Sequence, residues 1–237
     1  MVTAKDFDLV ECQVTLFTPA SQFLPNKTLV ALLEEWGEVF NGDPIVIPAS
    51  PNLPPGVPRL TLMSKDSRYR IQASAARVDL FRRIKDEELC LPEHLDWTLG
   101  VLFRYLSVTN GIVNRVAAVL KRAATLEDPA KQLASHFCKE KWLHGPLNRP
   151  QEFELHAHKV FKLPNSVAIN SWFRCKTVTL VGPPEQRAAL VEQDFNTLAQ
   201  EAEGREFSAA EIREFFASAP PEFDKVLSMY FPEESDV

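Results

Sequence analysis

Residues 152–181 read EFELHAHKVFKLPNSVAINSWFRCKTVTLV. Apolar and polar side chains alternate on both sides of Pro164-Asn165-Ser166, the period of a strand with one buried face. Pro fixes φ and Asn tolerates a left-handed conformation, so these three residues form the turn of an antiparallel hairpin. A three-residue loop sets Leu155 opposite Cys175, Ala157 opposite Phe173, Phe161 opposite Ile169 and Leu163 opposite Val167, all on one apolar face. The other face pairs Glu154 with Lys176, His156 with Arg174 and His158 with Trp172. An opposite-charge cross-strand pair contributes about 0.2–1 kcal/mol, and a one-residue slip would turn it into the core. The rest of the chain is organised around this hairpin.

The 237 residues are 45% hydrophobic, 24% charged and 10% aromatic, an ordinary globular composition with enough apolar material for one large core or two small ones. Sixteen Phe against three Tyr point to a dry interior. Eight Gly against eighteen Pro argue for rigid connections and against Gly-rich phosphate loops. A formal net charge of −6 opposes nucleic-acid binding by bulk charge, though not a local basic face. Cys12, Cys90, Cys138 and Cys175 show no C-x-x-C spacing, and Cys12 and Cys175 sit inside apolar strand patterns, as reduced thiols of a cytosolic protein do. The N-terminal MVTAKDFDLVE carries acids and no apolar core, unlike a signal peptide, and no apolar run approaches the roughly 20 residues of a membrane span. The expected location is cytoplasmic.

In chain order, Phe7 to Phe17 predicts a strand. From Asn26 as N-cap, a helix follows with Leu29, Leu32, Leu33, Trp36, Val39 and Phe40 on one stripe, closed by Asn41-Gly42. Ile45 to Ile47 is a short strand and ASPNLPPGVP (49–58) a rigid connector. Arg59–Ser64 and Arg68–Ala75 form a second hairpin turning at Lys65-Asp66-Ser67, and Val78–Phe81 extends the sheet. After the polar IKDEEL segment and Pro92, a helix from about Leu95 to Asn110 buries Leu95, Leu99, Leu102, Phe103 and Leu106, with Gly111 ending it. Arg115 to Thr125 suits a strand by alternation and a helix by composition; the Asn110-Gly111 break favours the strand. Pro129 to Glu140 is a short helix. Gln186 to Ala202 and Ser208 to Ala217 read as helices, the second opened by a Ser208/Glu211 capping box. Glu222 to Tyr230 is a final helical segment, and residues 232–237 are an acidic tail.

The order strand, helix, hairpin, helix occurs over 7–110 and again over 113–219. The expectation is one α+β domain over 1–237. Its antiparallel hairpins lie in one or two sheets packed by helices on one side, and the two halves are pseudo-repeated.

The run PRLTLMSKDSRYRIQASAARVDLF (58–81), Asn114-Arg115-Val116 opening a strand, and Asp194-Phe195-Asn196-Thr197 near the C-terminus together resemble a sporadically distributed bacterial family of proteins of unknown function, roughly 250 residues long. Its members share a polar hairpin ending in Gln, a central N-R-[IV] strand and a D-[IF]-N-T segment before terminal helices. This chain departs in having Lys65-Asp66-Ser67 where the family's first hairpin turn usually holds a Gly. The resemblance implies a bacterial cytoplasmic protein and supplies no catalytic residue.

Four constellations could carry chemistry. His156-x-His158 puts two rings on one strand face, as a metal site wants, but His136-x-Cys138 falls on a helix where i and i+2 diverge, and Arg174 opposite His156 repels a cation. No metal and no cofactor is expected. Arg68, Arg70, Arg174, Lys176 and His156, with Trp172 and His158, project from the polar sides of their strands. That face would suit phosphates and stacked bases, unless its cations are simply solvated and screened by acids such as Glu152 and Glu154. No P-loop, G-x-G-x-x-G, G-x-S-x-G or H-E-x-x-H occurs. Glu192, Asp194 and Asn196, read on a helix, face water. Phe215, Phe216, Phe223, Leu227, Tyr230 and Phe231 pack the core or serve self-association.

The leading reading is a non-enzymatic binding or interaction module that uses the polar sheet face, with a protein partner or a second copy. Nucleic acid is disfavoured and a membrane is not expected. The second reading is a phosphate-directed, nuclease-like enzyme using His156 and His158 with Arg174. Whether these side chains line a concave pocket or an open surface separates the two.

Overall fold

The chain is represented by a computed structural model describing residues 2–19, 22–48, 53–84, 90–180 and 184–233. Its strands are β1 (Asp8–Phe17), β2 (Ile45–Val46), β3 (Leu60–Met63), β4 (Tyr69–Ala73), β5 (Arg77–Arg83), β6 (Arg115–Thr125), β7 (Glu154–Lys162), β8 (Ala168–Leu180) and β9 (Gln186–Thr197). The helices are α1 (Pro25–Trp36), α2 (Leu91–Thr109), α3 (Pro129–Phe137), α4 (Glu140–Leu143) and α5 (Ala209–Tyr230). All nine strands join one antiparallel sheet in the order β2-β3-β4-β5-β1-β6-β9-β8-β7, so the fold is α+β. The two hairpin-rich parts of the chain meet at the centre, where β1 pairs with β6.

Alternation sorts each strand between two faces. Cys12, Val14 and Leu16 of β1, Val116, Ala118 and Leu120 of β6, and Ile169, Phe173 and Cys175 of β8 are buried in one core with residues of α1, α2, α3 and α5. The other face has no helix over it among the described residues. Burial pushes the Cys12 and Cys175 thiols up to about 12, so both behave as small apolar side chains.

The hairpin register is the one its sequence predicts, from Glu154 opposite Lys176 through His156 opposite Arg174 to Phe161 opposite Ile169. Leu163 N–H donates to the Val167 carbonyl, and Ser166 takes φ 66° in the turn. Arg115–Thr125 is a strand. The end of the hairpin at Val181, the first four residues of the 49–58 connector, residues 85–89 and the last four residues of the acidic tail lie outside the described residues.

The segment from Gln186 departs most from its expected helix. It is the strand β9, bonded to β6 on one side and β8 on the other. Ala, Leu, Glu and Gln give it helical propensity, but two ladders outweigh a preference of a few tenths of a kcal/mol per residue. Its alternation is masked because the core-facing row, Ala189-Val191-Gln193-Phe195-Thr197, includes two polar residues. Gln193 is wholly buried; its amide donates to the Phe223 carbonyl at 2.7 Å and accepts from the buried Arg122. Thr197 Oγ1 accepts from Val116 N–H at 3.1 Å.

The expected pair of C-terminal helices is instead one helix, α5, running through Pro220 and Pro221. An interior Pro costs about 3 kcal/mol, and α5 offsets this by burying Ile212, Phe215, Phe216, Phe223, Val226 and Leu227 at roughly 1.5–3 kcal/mol each. Its Ser208/Glu211 capping box forms as expected. Helix α1 begins at Pro25 rather than after Asn26, because Pro at the first position has no amide to leave unpaired. Pro92 likewise sits in the first turn of α2, which ends at Asn110 in the left-handed conformation (φ 47°) rather than at Gly111.

Trp36 and Phe103, expected in the core, are only half-buried at its margin. The fully buried aromatic of α2 is Tyr105, whose hydroxyl donates to the Ser74 carbonyl at 3.1 Å. Phe173 is 1% exposed and stacks on Tyr230 at 3.8 Å. Replacing Phe173 with Ala is expected to cost about 3–5 kcal/mol in a urea titration, against about 1–2 kcal/mol for Trp36→Ala; equal losses would mean that the core is misplaced.

Candidate functional site

The uncovered face of the sheet gathers most of the residues singled out in the sequence. Strands β7 and β8 supply His156, His158, Trp172, Arg174 and Lys176, because the hairpin turns its even-numbered residues away from the helices. His158 stacks on Trp172 at 4.2 Å with 17° between the planes, and its Nε2 lies 3.1 Å from Asn170 Oδ1. The Arg174 guanidinium lies 5.1 Å from the Trp172 ring centroid, within range of a cation–π contact. His156 Nε2 sits 2.7 Å from Glu154 Oε1, and exposed Lys176 stands opposite Glu154.

Arg68 and Arg70 lie on the same face but elsewhere. Four strands (β5, β1, β6 and β9) separate β4 from β8, roughly 24 Å at normal strand spacing. Arg70 packs over Phe81 at 4.0 Å, and Arg68 Nε lies 3.2 Å from Asp66. Both line a cleft of about 240 Å³ with Glu11, Met63, Phe81 and Arg83. The basic residues are therefore two groups, not one surface.

Between them the sheet places acids. The register aligns His156, Arg174, Glu192, Lys121, Glu11 and Arg83 in one row across six strands. Charge alternates along that row. Arg174 donates to Glu192 at 2.8 Å, Lys121 donates to Glu11 at 2.8 Å, and Arg83 lies 3.7 Å from Glu11. The second row along from it holds Asn170, Asn196, Ala117, Thr15 and Asp79. Asp79 is 1% exposed although no helix covers it; Thr15 and Gln13 donate to one of its oxygens, at 2.7 and 3.1 Å, and Arg77 lies 3.0 Å from the other.

Glu192, Asp194 and Asn196, expected on a solvated helix, are strand residues facing this surface. Asp194 lies opposite Trp172, 3.8 Å from Arg174, and accepts from Asn196 at 2.9 Å. Burial raises the Asp194 pKa above its ordinary 3.8; the Asn196 bond and Arg174 and Arg115 oppose the shift, and Glu192 reinforces it. Arg115 donates to Asn196 Oδ1 at 3.3 Å, and burial lowers its pKa. Reading 186–202 as a helix hid these acids, and only the β8–β9 register reveals them.

A larger cavity of about 1270 Å³ is lined by Leu126, Asp128, Lys131, His136 and Arg187, among others. Neither cavity includes His156, His158, Trp172, Arg174 or Lys176. His136 sits on α3 with its Nε2 2.7 Å from the Tyr230 carbonyl. Among the described residues no three His, Cys, Asp or Glu side chains stand close enough to share a metal ion.

The raised Asp194 carboxyl sets a pH dependence. The folded state holds that proton more tightly than the unfolded chain, so ionised Asp194 disfavours folding above the carboxylate range, and the penalty fades as pH falls through the folded value towards 3.8. Asp194→Asn keeps an oxygen for Asn196 and removes the buried charge. It is expected to stabilise the protein at pH 7, the gain shrinking to nothing by about pH 3 in paired urea titrations; a loss at pH 7 would show that the contact with Arg174 outweighs the burial.

No family model matches this chain, and no curated protein matches it. Among solved structures, the di-domain ARO/CYC BexL from the BE-7585A biosynthetic pathway is similar with a TM-score of 0.23 and 12% identity, over 93% of this chain and 96% of that one.

Proposed function

We propose that this protein is a non-catalytic binding module that engages a protein partner through the uncovered face of its sheet. The observation that carries this reading is the cluster at Trp172: an aromatic ring flanked by His158 and Arg174, on a face no helix covers among the described residues. Trp, Tyr and Arg are the side chains that dominate binding energy at protein interfaces. The alternation of Arg174, Glu192, Lys121 and Glu11 favours a partner of mixed charge, since such a row recognises complementary charges in register. A polyanion is disfavoured, because those cations are already neutralised at hydrogen-bond distance and the net charge is −6. Two buried unpaired thiols, Cys12 and Cys175, fit a cytoplasmic setting. No helix among the described residues is long and apolar enough to cross a membrane.

No observation favours the phosphate-directed enzyme. The two histidines sit at the sheet's edge, engaged with Glu154 and Asn170, and neither of the two cavities described above is lined by them or by Arg174.

The test is affinity capture from host extract with mass-spectrometric comparison of variants. A partner held by the wild type should be lost from Trp172→Ala and Arg174→Glu and kept by Met229→Ala on the opposite, helical side, with all three variants folded. A low-salt titration with single-stranded RNA and DNA should show no binding. Partners indifferent to Trp172 and Arg174, or tight salt-dependent nucleic-acid binding, would overturn the reading.

A further inference from the structure

The two ends of the sheet are built differently. Strand β2 is two residues long, a blunt end, whereas β7 spans nine residues in an unbroken register with β8. Short strands, prolines and bulges are the usual protections of a sheet edge. β7 contains none of them, and none of its residues is fully buried; Val160 is 54% exposed. Leu163 N–H bonds the Val167 carbonyl and Thr177 N–H bonds the Phe153 carbonyl, so the odd-numbered residues of β7 aim their backbone groups at β8. By alternation Glu154, His156, His158, Val160 and Lys162 aim theirs outward, and β8 is the only strand paired with β7 among the described residues.

We infer that a second copy of this chain pairs with that edge, β7 antiparallel to β7, about a two-fold axis at His158. The axis brings outward-directed residues opposite one another, which antiparallel pairing requires. Glu154 then faces Lys162 of the second copy, and Lys162 faces its Glu154, giving two opposite-charge pairs at the ends of the contact. His156 faces Val160 of the second copy and covers its exposed methyl groups. On the helix-bearing face, half-buried Leu155 meets Phe161 of the second copy, extending the apolar layer across the junction. A two-residue slip loses this: in one direction Glu154 faces Val160, in the other Lys162 faces His156.

Lys159 is the one side chain that resists such pairing, as inward-turned lysines on edges do. Here it lies opposite Ala157 of the second copy. The methyl group leaves room for its stem, and the flexible chain lets the ammonium, now 4.9 Å from the Phe161 ring, reach water. The contact would join two sheets edge to edge and set the two Trp172 residues three strand spacings apart, roughly 14 Å. It goes beyond the proposed open-face binding and does not depend on it, because edge pairing covers neither Trp172 nor Arg174.

Sedimentation equilibrium of the full chain, over a range of concentrations, tests the inference with wild type, Lys162→Glu, Glu154→Lys and the double exchange. Lys162→Glu is the cleaner single variant, since Lys162 faces only Ala168 within its own chain. Wild type should dimerise. Each single reversal, turning two attractions into repulsions, should weaken the dimer about tenfold or more, and the double exchange should restore it. Circular-dichroism melts show whether each variant is folded. A wild type monomeric throughout, a dimer indifferent to both single reversals, or a double exchange that fails to restore it would each overturn the inference, leaving open-face binding to be judged by its own variants.

Discussion

Strand β9 makes one sheet out of two groups of strands. Among the described residues β8 pairs only with β7 and β9, and β6 only with β1 and β9, so the ladders joining the C-terminal hairpin to the rest of the sheet pass through residues 186–197. The strand must therefore satisfy two ladders and present a correct side chain to each face. Its inward polar residues meet that requirement by local pairing: Gln193 links Arg122 of β6 to the Phe223 carbonyl of α5, and Arg122 reaches on to Asp224 at 2.6 Å. A buried guanidinium without partners would be costly, and burial does lower the Arg122 pKa. With its partners in place it fixes α5 over β6 and β9, beside the Phe195–Phe223 stack at 3.9 Å.

The position of β9 also decides the electrostatics of the opposite face. Glu192 and Asp194 arrive beside Arg174 because they are the outward residues of the strand next to β8. A hairpin face that looks cationic in isolation becomes one end of an alternating row once its true neighbour is present. Within the hairpin Glu154 engages His156, but Arg174 and Lys121 are screened by cross-strand partners at 2.8 Å, which follows from topology rather than from composition.

How far the sequence could be read depended on how locally each feature was determined. The β7–β8 register was legible in full, since a turn of Pro164-Asn165-Ser166 and strict alternation specify it without outside help. The capping box at Ser208 is equally local, whereas 115–125 suits a helix by composition and was settled as a strand only by the Asn110-Gly111 break before it. β9 was not, because its core-facing Gln193 and Thr197 break the apolar alternation and make sense only beside Arg122 and Val116. The continuity of α5 through Pro220 and Pro221 depends on tertiary burial outweighing a local penalty, and no local rule predicts that. The site shows the same division. His156, His158, Trp172 and Arg174 were found on one face from the hairpin alone, whereas the distance to Arg68 and Arg70 and the presence of Asp194 required the strand order.

The large stabilising contacts and the proposed recognition surface lie on opposite faces of this sheet. On the helical face the large terms are the buried aromatics, Phe173 on Tyr230 and Phe195 on Phe223, where truncation of one ring removes several kcal/mol. On the uncovered face the partly exposed ion pairs contribute about 0–1 kcal/mol each, and the Arg174–Trp172 contact a similar amount. Folding alone therefore gives little reason for that face to hold a Trp, a stacked His and a row of alternating charges; a few Thr and Val would form the ladders as well. The same small energies mean that its side chains can be exchanged at little cost to the fold, whereas changes to Gln193 or Arg122 cannot. A surface that stability does not explain, on a scaffold that does not depend on it, is what a recognition face requires.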